Sequence, residues 1–163
     1  MPRTTDITKY RFNHTNYRVK DPEVSLKFYT EIIGMTYLGK LEVSENKITL
    51  YFLAFEADPN FQTDYAMTLQ SEVFSRQGVL ELMHIWDTAN DASFEGYHSG
   101  NAPPLGYGHI AITVDDLDAA CQRVADLGVR FAKRPEDGHV REVAFICDPD
   151  GYWVELLVNP KLL

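Results

Sequence analysis

HTNYRVKDPEVSLKFYTEIIGM (residues 14–35) and HIAITVDDLDAACQRVADLGV (residues 109–129) carry the same features at the same offsets. Each opens on a histidine in a run of period-two alternation, reaches valine five residues later (Val19, Val114) and aspartate seven residues later (Asp21, Asp116). Each then changes to helical spacing and stops at a glycine, Gly34 or Gly128. Asp21 and Asp115 or Asp116 are the expected N-caps, and Pro22 suits the first helical position because its missing N–H would have no partner there. Val24, Phe28 and Ile32 are expected on the buried side of the first helix, and Ala119, Val124 and Leu127 on that of the second. Strand, helix and terminating glycine thus occur twice.

After each helix the chain returns to strand patterns. LGKLEVSENKITLYFLAF (38–55) reads as a hairpin turning at Ser44, Glu45 and Asn46, and GVLELMHIW (78–86) as a further strand. FAKRPEDGHVREVAFICDPDGYWVELLV (131–158) reads as three short strands, with turns at Pro135–Gly138 and Asp148–Gly151. Each half is therefore β-α-β-β-β. The expected organisation is an α+β fold of paired βαβββ modules, the first over residues 10–86 and the second over 107–163, joined by a linker over 87–106. Residues 56–77 form an insertion in the first module, expected to be partly helical from Gln62 to Phe74. The long linker hints at a functional loop.

Composition restricts the function classes. The chain has 163 residues, 45% hydrophobic and 24% charged, which is enough apolar material for a real core. Its formal net charge of −9 disfavours nucleic acid or an anionic membrane as a partner. No stretch approaches the ~20 apolar residues of a membrane span or resembles a signal peptide, so the expected location is cytoplasmic. Cys121 and Cys147 have neither CxxC spacing nor a neighbouring cysteine, and are expected to be reduced core residues.

The repeat also organises the candidate chemistry. Glu81 stands in the middle of VLELM and Glu155 in the middle of WVELL, each the last strand of its half. A carboxylate flanked by apolar residues in a strand is costly unless something pairs with it, whether arginine, backbone amides or a metal. Together with the histidines that open both first strands, the repeat yields a pseudo-symmetric set of His14, Glu81, His109 and Glu155. Imidazole and carboxylate suit a divalent first-row metal, and four protein ligands leave one or two positions for water or substrate in a five- or six-coordinate ion. His84, His98 and His139 have no counterpart in the repeat and default to surface or structural roles.

These blocks resemble the glyoxalase I (lactoylglutathione lyase) family of the vicinal oxygen chelate superfamily. The likeness runs from about Phe12 to the C-terminus, through RVKDPEVSLKFYTEIIGM, TLYFLAF, VLELMHIW, GNAPPLGYGHIAI and AFICDPDGYWVEL. It implies curved mixed sheets around one divalent metal per site, with His14, Glu81, His109 and Glu155 as ligands. It also implies a homodimer in which His14 and Glu81 of one subunit face His109 and Glu155 of the other. The implied reaction isomerises the hemithioacetal of methylglyoxal and glutathione to S-lactoylglutathione by proton transfer through an enediolate. Glu155 would be the leading base, with Glu81 serving the other substrate enantiomer. An insertion like residues 56–77 points to the zinc-dependent class, while histidine at position 14 also occurs in the nickel class; zinc is the expected metal.

Arg18 lies four residues after His14 and so shares its strand face; by resemblance it binds the γ-glutamyl carboxylate of glutathione. Lys133 with Arg134 matches the basic contact to the glycyl carboxylate, and Trp153, on the face of Glu155, forms a pocket wall. Ile85 and Leu105 stand where the family often carries Asn and Arg, so two polar contacts to glutathione are expected to be missing. The alternatives are an isomerase or epimerase of the superfamily acting on another thiol or an acyl-CoA, or a non-catalytic small-molecule-binding relative. Extradiol dioxygenases use two histidines and one carboxylate, and a fourth ligand, Glu81, argues against them.

Overall fold

The computed structural model describes residues 5–55, 57, 58, 61 and 66–160. Its elements run β1 (His14–Val19), α1 (Pro22–Lys27) continued by a π-helical stretch (Phe28–Ile32), β2 (Thr36–Val43), β3 (Ile48–Ala54), α2 (Ala66–Ser75) and β4 (Val79–Ile85). They continue as β5 (His109–Val114), α3 (Leu117–Asp126), β6 (Phe131–Lys133), β7 (Val143–Cys147) and β8 (Trp153–Val158). The strands form two four-stranded sheets, ordered β1-β4-β3-β2 and β5-β8-β7-β6. In both, the first strand of the module pairs parallel with the last and the remaining pairs are antiparallel. This is the expected α+β fold of two βαβββ modules.

Two compact units divide the chain, residues 1–22 with 34–90 and residues 23–33 with 91–163. They cut across the repeat at one element: α1 and its π-helical extension, written in the first half, pack with the second. Tyr29 donates its hydroxyl to buried Asp148 Oδ2 at 2.9 Å, and Ser25 Oγ donates to Asp150 Oδ2 at 3.2 Å. Arg123 on α3 donates to the carbonyls of Ile32 (2.6 Å) and Glu31 (3.0 Å), which no helical N–H follows to satisfy. The buried side of the element is Ser25, Phe28 and Tyr29, and Val24 is exposed. The expected stripe through Val24 is rotated because the groups that anchor the helix are polar. Gly34 ends it at φ +90°, a conformation an L side chain resists.

Asp116 caps α3, its carboxylate accepting from Ala119 N at 2.9 Å. The buried residues of α3 are Leu117, Cys121 and Val124, whereas Ala119 and Leu127 are exposed. Cys121 and Cys147 are free and buried, and burial pushes both thiols up. In the first unit the hairpin turns at Ser44–Asn46 as expected, with Lys47 left-handed. The insertion supplies α2, whose start lies beside residues 62–65, outside the described residues. Leu69 and Val73, four apart on α2, close a core with Leu38, Phe52, Ala54 and Val79. Phe52 and Val79 share a face with His14 and Glu81 through the strand register, so the inserted helix covers one end of that face.

Candidate metal centre

Parallel pairing brings the histidine and glutamate of each half together. In the first sheet His14 is in register with Val79 and Asn16 with Glu81; in the second His109 is in register with Trp153 and Ala111 with Glu155. Register partners in a parallel pair share a face, and a step of two keeps to it. Each glutamate therefore lies one diagonal step from its histidine, at the same place in both sheets. His14 Nε2 stands 3.8 Å from Glu81 Oε2, and His109 Nε2 stands 3.2 Å from Glu155 Oε2. Two ligands each ~2.1 Å from a tetrahedral ion are separated by roughly 3.4 Å, which these distances bracket. The donor set and its spacing fit a divalent metal. Among the described residues no three His, Cys, Asp or Glu side chains come together, so each unit offers a two-donor half.

The surroundings of the pairs differ. Asn16 Nδ2 donates to Glu81 Oε1 at 2.6 Å, leaving Oε2 to face the imidazole. His14 Nδ1 lies 2.8 Å from Asn13 Oδ1. Beside the second pair the neighbours are aromatic: the His109 ring meets the Phe145 ring edge to face at 5.1 Å, and Phe145 lies 5.5 Å from Trp153. Upstream, Asn101 Nδ2 donates to the carbonyl of Gly108, one residue before His109. A Cβ on Gly100 would collide with the backbone of Tyr107, so the loop closes on that glycine.

The expected substrate contacts are placed unequally. Arg18 is exposed on the face of His14 and Asn16, and half-buried Trp153 shares the face of His109 and Glu155. Lys133 Nζ is turned into its own loop, donating to Val140 O at 2.6 Å and to Val143 O and Arg134 O at 3.3 Å. The Arg134 guanidinium lies 4.0 Å over the Phe131 ring. Ile85 is half-buried on the face of Glu81, and Leu105 is fully on the surface. Outside the repeat set, His98 Nε2 lies 2.7 Å from Pro104 O in the connecting loop, and His84, on β4, has Nδ1 3.4 Å from Thr88 Oγ1. Asn13, Asn16 and Asp148 escaped the reading of the sequence. Period two alone puts Asn16 beside His14, but nothing local marks Asn13 or the burial of Asp148.

Residues 11–156 match the model of the Glyoxalase/Bleomycin resistance protein/Dioxygenase superfamily, and the chain belongs to that family. Within it, relatives 40% or more identical carry the name lactoylglutathione lyase or glyoxalase I. A lactoylglutathione lyase of Pseudomonas aeruginosa is 48% identical over 91% of this chain and 82% of its own length. Glyoxalase I of Saccharomyces cerevisiae is 40% identical over 91% of this chain, which spans 45% of the yeast protein. Among solved structures, the trypanothione-dependent glyoxalase I of Leishmania major aligns with a TM-score of 0.69 at 32% identity, covering 94% of this chain and 90% of that one.

Proposed function

We propose that the chain is a metal-dependent glyoxalase I that converts the hemithioacetal of methylglyoxal and glutathione to S-lactoylglutathione. The observation that carries this reading is the pair of His–Glu diagonals at equivalent places in two sheets, His14 with Glu81 and His109 with Glu155. His14, Glu81, His109 and Glu155 would hold the ion; two imidazoles and two carboxylates with open positions suit zinc or nickel, and the insertion over 56–77, like that of the zinc-dependent class, favours zinc. A bound divalent ion supplies Lewis acidity toward the two substrate oxygens, on which negative charge develops.

Glu155 removes the proton from the carbon bearing sulfur and hydroxyl and returns it to the neighbouring carbon, while the hydroxyl proton passes to the former ketone oxygen, so that the thiohemiacetal becomes a thioester. Glu81 does the same for the opposite enantiomer, with Asn16 holding its other oxygen in place. Phe145 and Trp153 exclude water from the Glu155 side. Arg18, Lys133 and Arg134 bind the carboxylates of glutathione, Lys133 by exchanging its loop carbonyls for substrate. Two subunits complete each site, each contributing one His–Glu pair. A reducing, cytoplasmic setting suits both a thiol substrate and the free Cys121 and Cys147.

The test is thioester formation, followed by ultraviolet absorbance, from methylglyoxal and glutathione after metal removal and after readdition of Zn²⁺ or Ni²⁺. Product that depends on added metal is expected. No product with either ion would overturn the assignment. Ile85 and Leu105 favour one second reading, a thiol other than glutathione, which the same assay separates by a higher kcat/KM with coenzyme A or another thiol.

A further inference from the structure

Asn13 is held at three points. Its backbone carbonyl accepts from Val79 N at 2.9 Å, where β4 begins to pair with β1. Its side-chain Nδ2 donates to Val73 O at 2.8 Å and Arg76 O at 2.9 Å, at the C-terminal end of α2. The carbonyls at a helix end lack the N–H of a following turn, and a carbonyl oxygen has two lone pairs, so Val73 O accepts from Asn13 beside the Arg76 N–H at 3.2 Å.

Carbonyl oxygens cannot donate, and this decides which way the amide is turned. The nitrogen must face α2, and Oδ1 is left to face His14 Nδ1 at 2.8 Å. An amide oxygen only accepts, so the proton between them belongs to Nδ1. The neutral His14 ring then keeps its lone pair on Nε2, 3.8 Å from Glu81 Oε2, whose partner oxygen is already taken by Asn16.

From this geometry we infer that Asn13 is a positioning residue: clamped by the end of the inserted helix α2, it locks His14 in the Nδ1–H tautomer and presents Nε2 to the face shared with Glu81. A histidine ligand must offer a lone pair at one nitrogen, and the hydrogen bond at the other selects which. Without Asn13 the ring can protonate at Nε2, or rotate, and must rearrange before it can bind. The insertion thus reaches the site through a single side chain, although α2 contributes no residue to the His–Glu pair.

The inference rests on the proposed ligation by His14, and its test separates the two. Nitrogen-15 correlation spectra of metal-free wild-type protein at alkaline pH read the tautomer directly, and His14 should show Nδ1–H. Asn13→Ala should lose that signature and weaken Zn²⁺ binding by ~10–100-fold, read by competition with a chromophoric chelator. Asn13→Asp loses the same bonds to α2 but keeps an acceptor for Nδ1–H, so it should retain the tautomer and most of the affinity. An Nε2–H signature in the wild type would overturn the inference, and so would equal Zn²⁺ affinities in the Ala and Asp variants. Should the wild type show Nδ1–H yet take up no Zn²⁺, the lock stands and the proposed function fails.

Discussion

At the scale of single residues, the two glutamates differ in what surrounds them. Glu81 has one oxygen engaged by an amide donor, and Glu155 stands among aromatic rings beside His109. A carboxylate that leaves a metal to carry a proton needs freedom to move, and Glu155 has fewer polar ties to break. Glu155→Gln should therefore lower kcat by ~10²–10⁴-fold, the usual worth of a positioned acid–base group. Glu81→Gln should cost less in kcat for the enantiomer that uses Glu155 and more in metal content. The measurement is kcat for each enantiomer of substrate, with metal per chain determined on the same samples. Equal losses for both enantiomers in both variants would remove the division of labour.

Among the elements, α1 is the one whose place the sequence conceals. Its docking depends on Asp148, 4% exposed, which accepts from Tyr29 Oη and from the backbone N–H of Asp150 and Tyr152. Burial pushes the Asp148 carboxyl up to about 6, with the Tyr29 hydroxyl and the Tyr152 and Asp150 amides pulling it down and the Asp150 charge adding to the rise. The folded chain therefore holds this proton longer than the unfolded chain does. The contribution to stability is greatest below the unfolded value near ~4 and falls as pH rises toward 6. It then stays lower by about 3 kcal/mol. In Asp148→Asn that component is absent, so the gap in unfolding free energy between variant and wild type should shift by about 2 kcal/mol, in favour of the variant, from pH 4 to pH 7.5, the remainder falling below pH 4. Urea denaturation at the two pH values measures it, and a pH-independent gap would show that Asp148 does not titrate in this window.

The same element shows the limit of reading helices from apolar spacing. Val24 has the right interval and is exposed, whereas Ser25 is fully buried and donates its hydroxyl to Asp150 Oδ2. The strands were legible because period two survives any packing partner. Which sheet a short helix docks against was not, because its polar anchors lie 119 and 125 residues away in the chain.

At the scale of the whole molecule, the proposed site takes one His–Glu pair from each of two subunits. If each site draws one pair from each subunit, a chain carrying His14→Ala and Glu81→Gln should complement a chain carrying His109→Ala and Glu155→Gln. Each is inactive alone, and co-refolding should restore roughly a quarter of wild-type activity, since about half the dimers are mixed and each has one intact site of two. Sites built within one chain would give no restoration.

The sequence by itself determined the two βαβββ modules and their turns, and put His14 with Glu81 and His109 with Glu155 at matching points of the repeat. These depend on local periodicity and on a repeat, and both are written in residue order. Only the tertiary structure decided that α1 packs with the second half, that α2 covers one end of the first His–Glu face, and that Asn13 turns His14. The docking of α1 and the turn of Asn13 rest on polar contacts between distant residues, and the cover of α2 on the packing of Leu69 and Val73. A hydrogen bond leaves no periodic trace in a chain, because one suitably placed donor and acceptor make it wherever the fold brings them together.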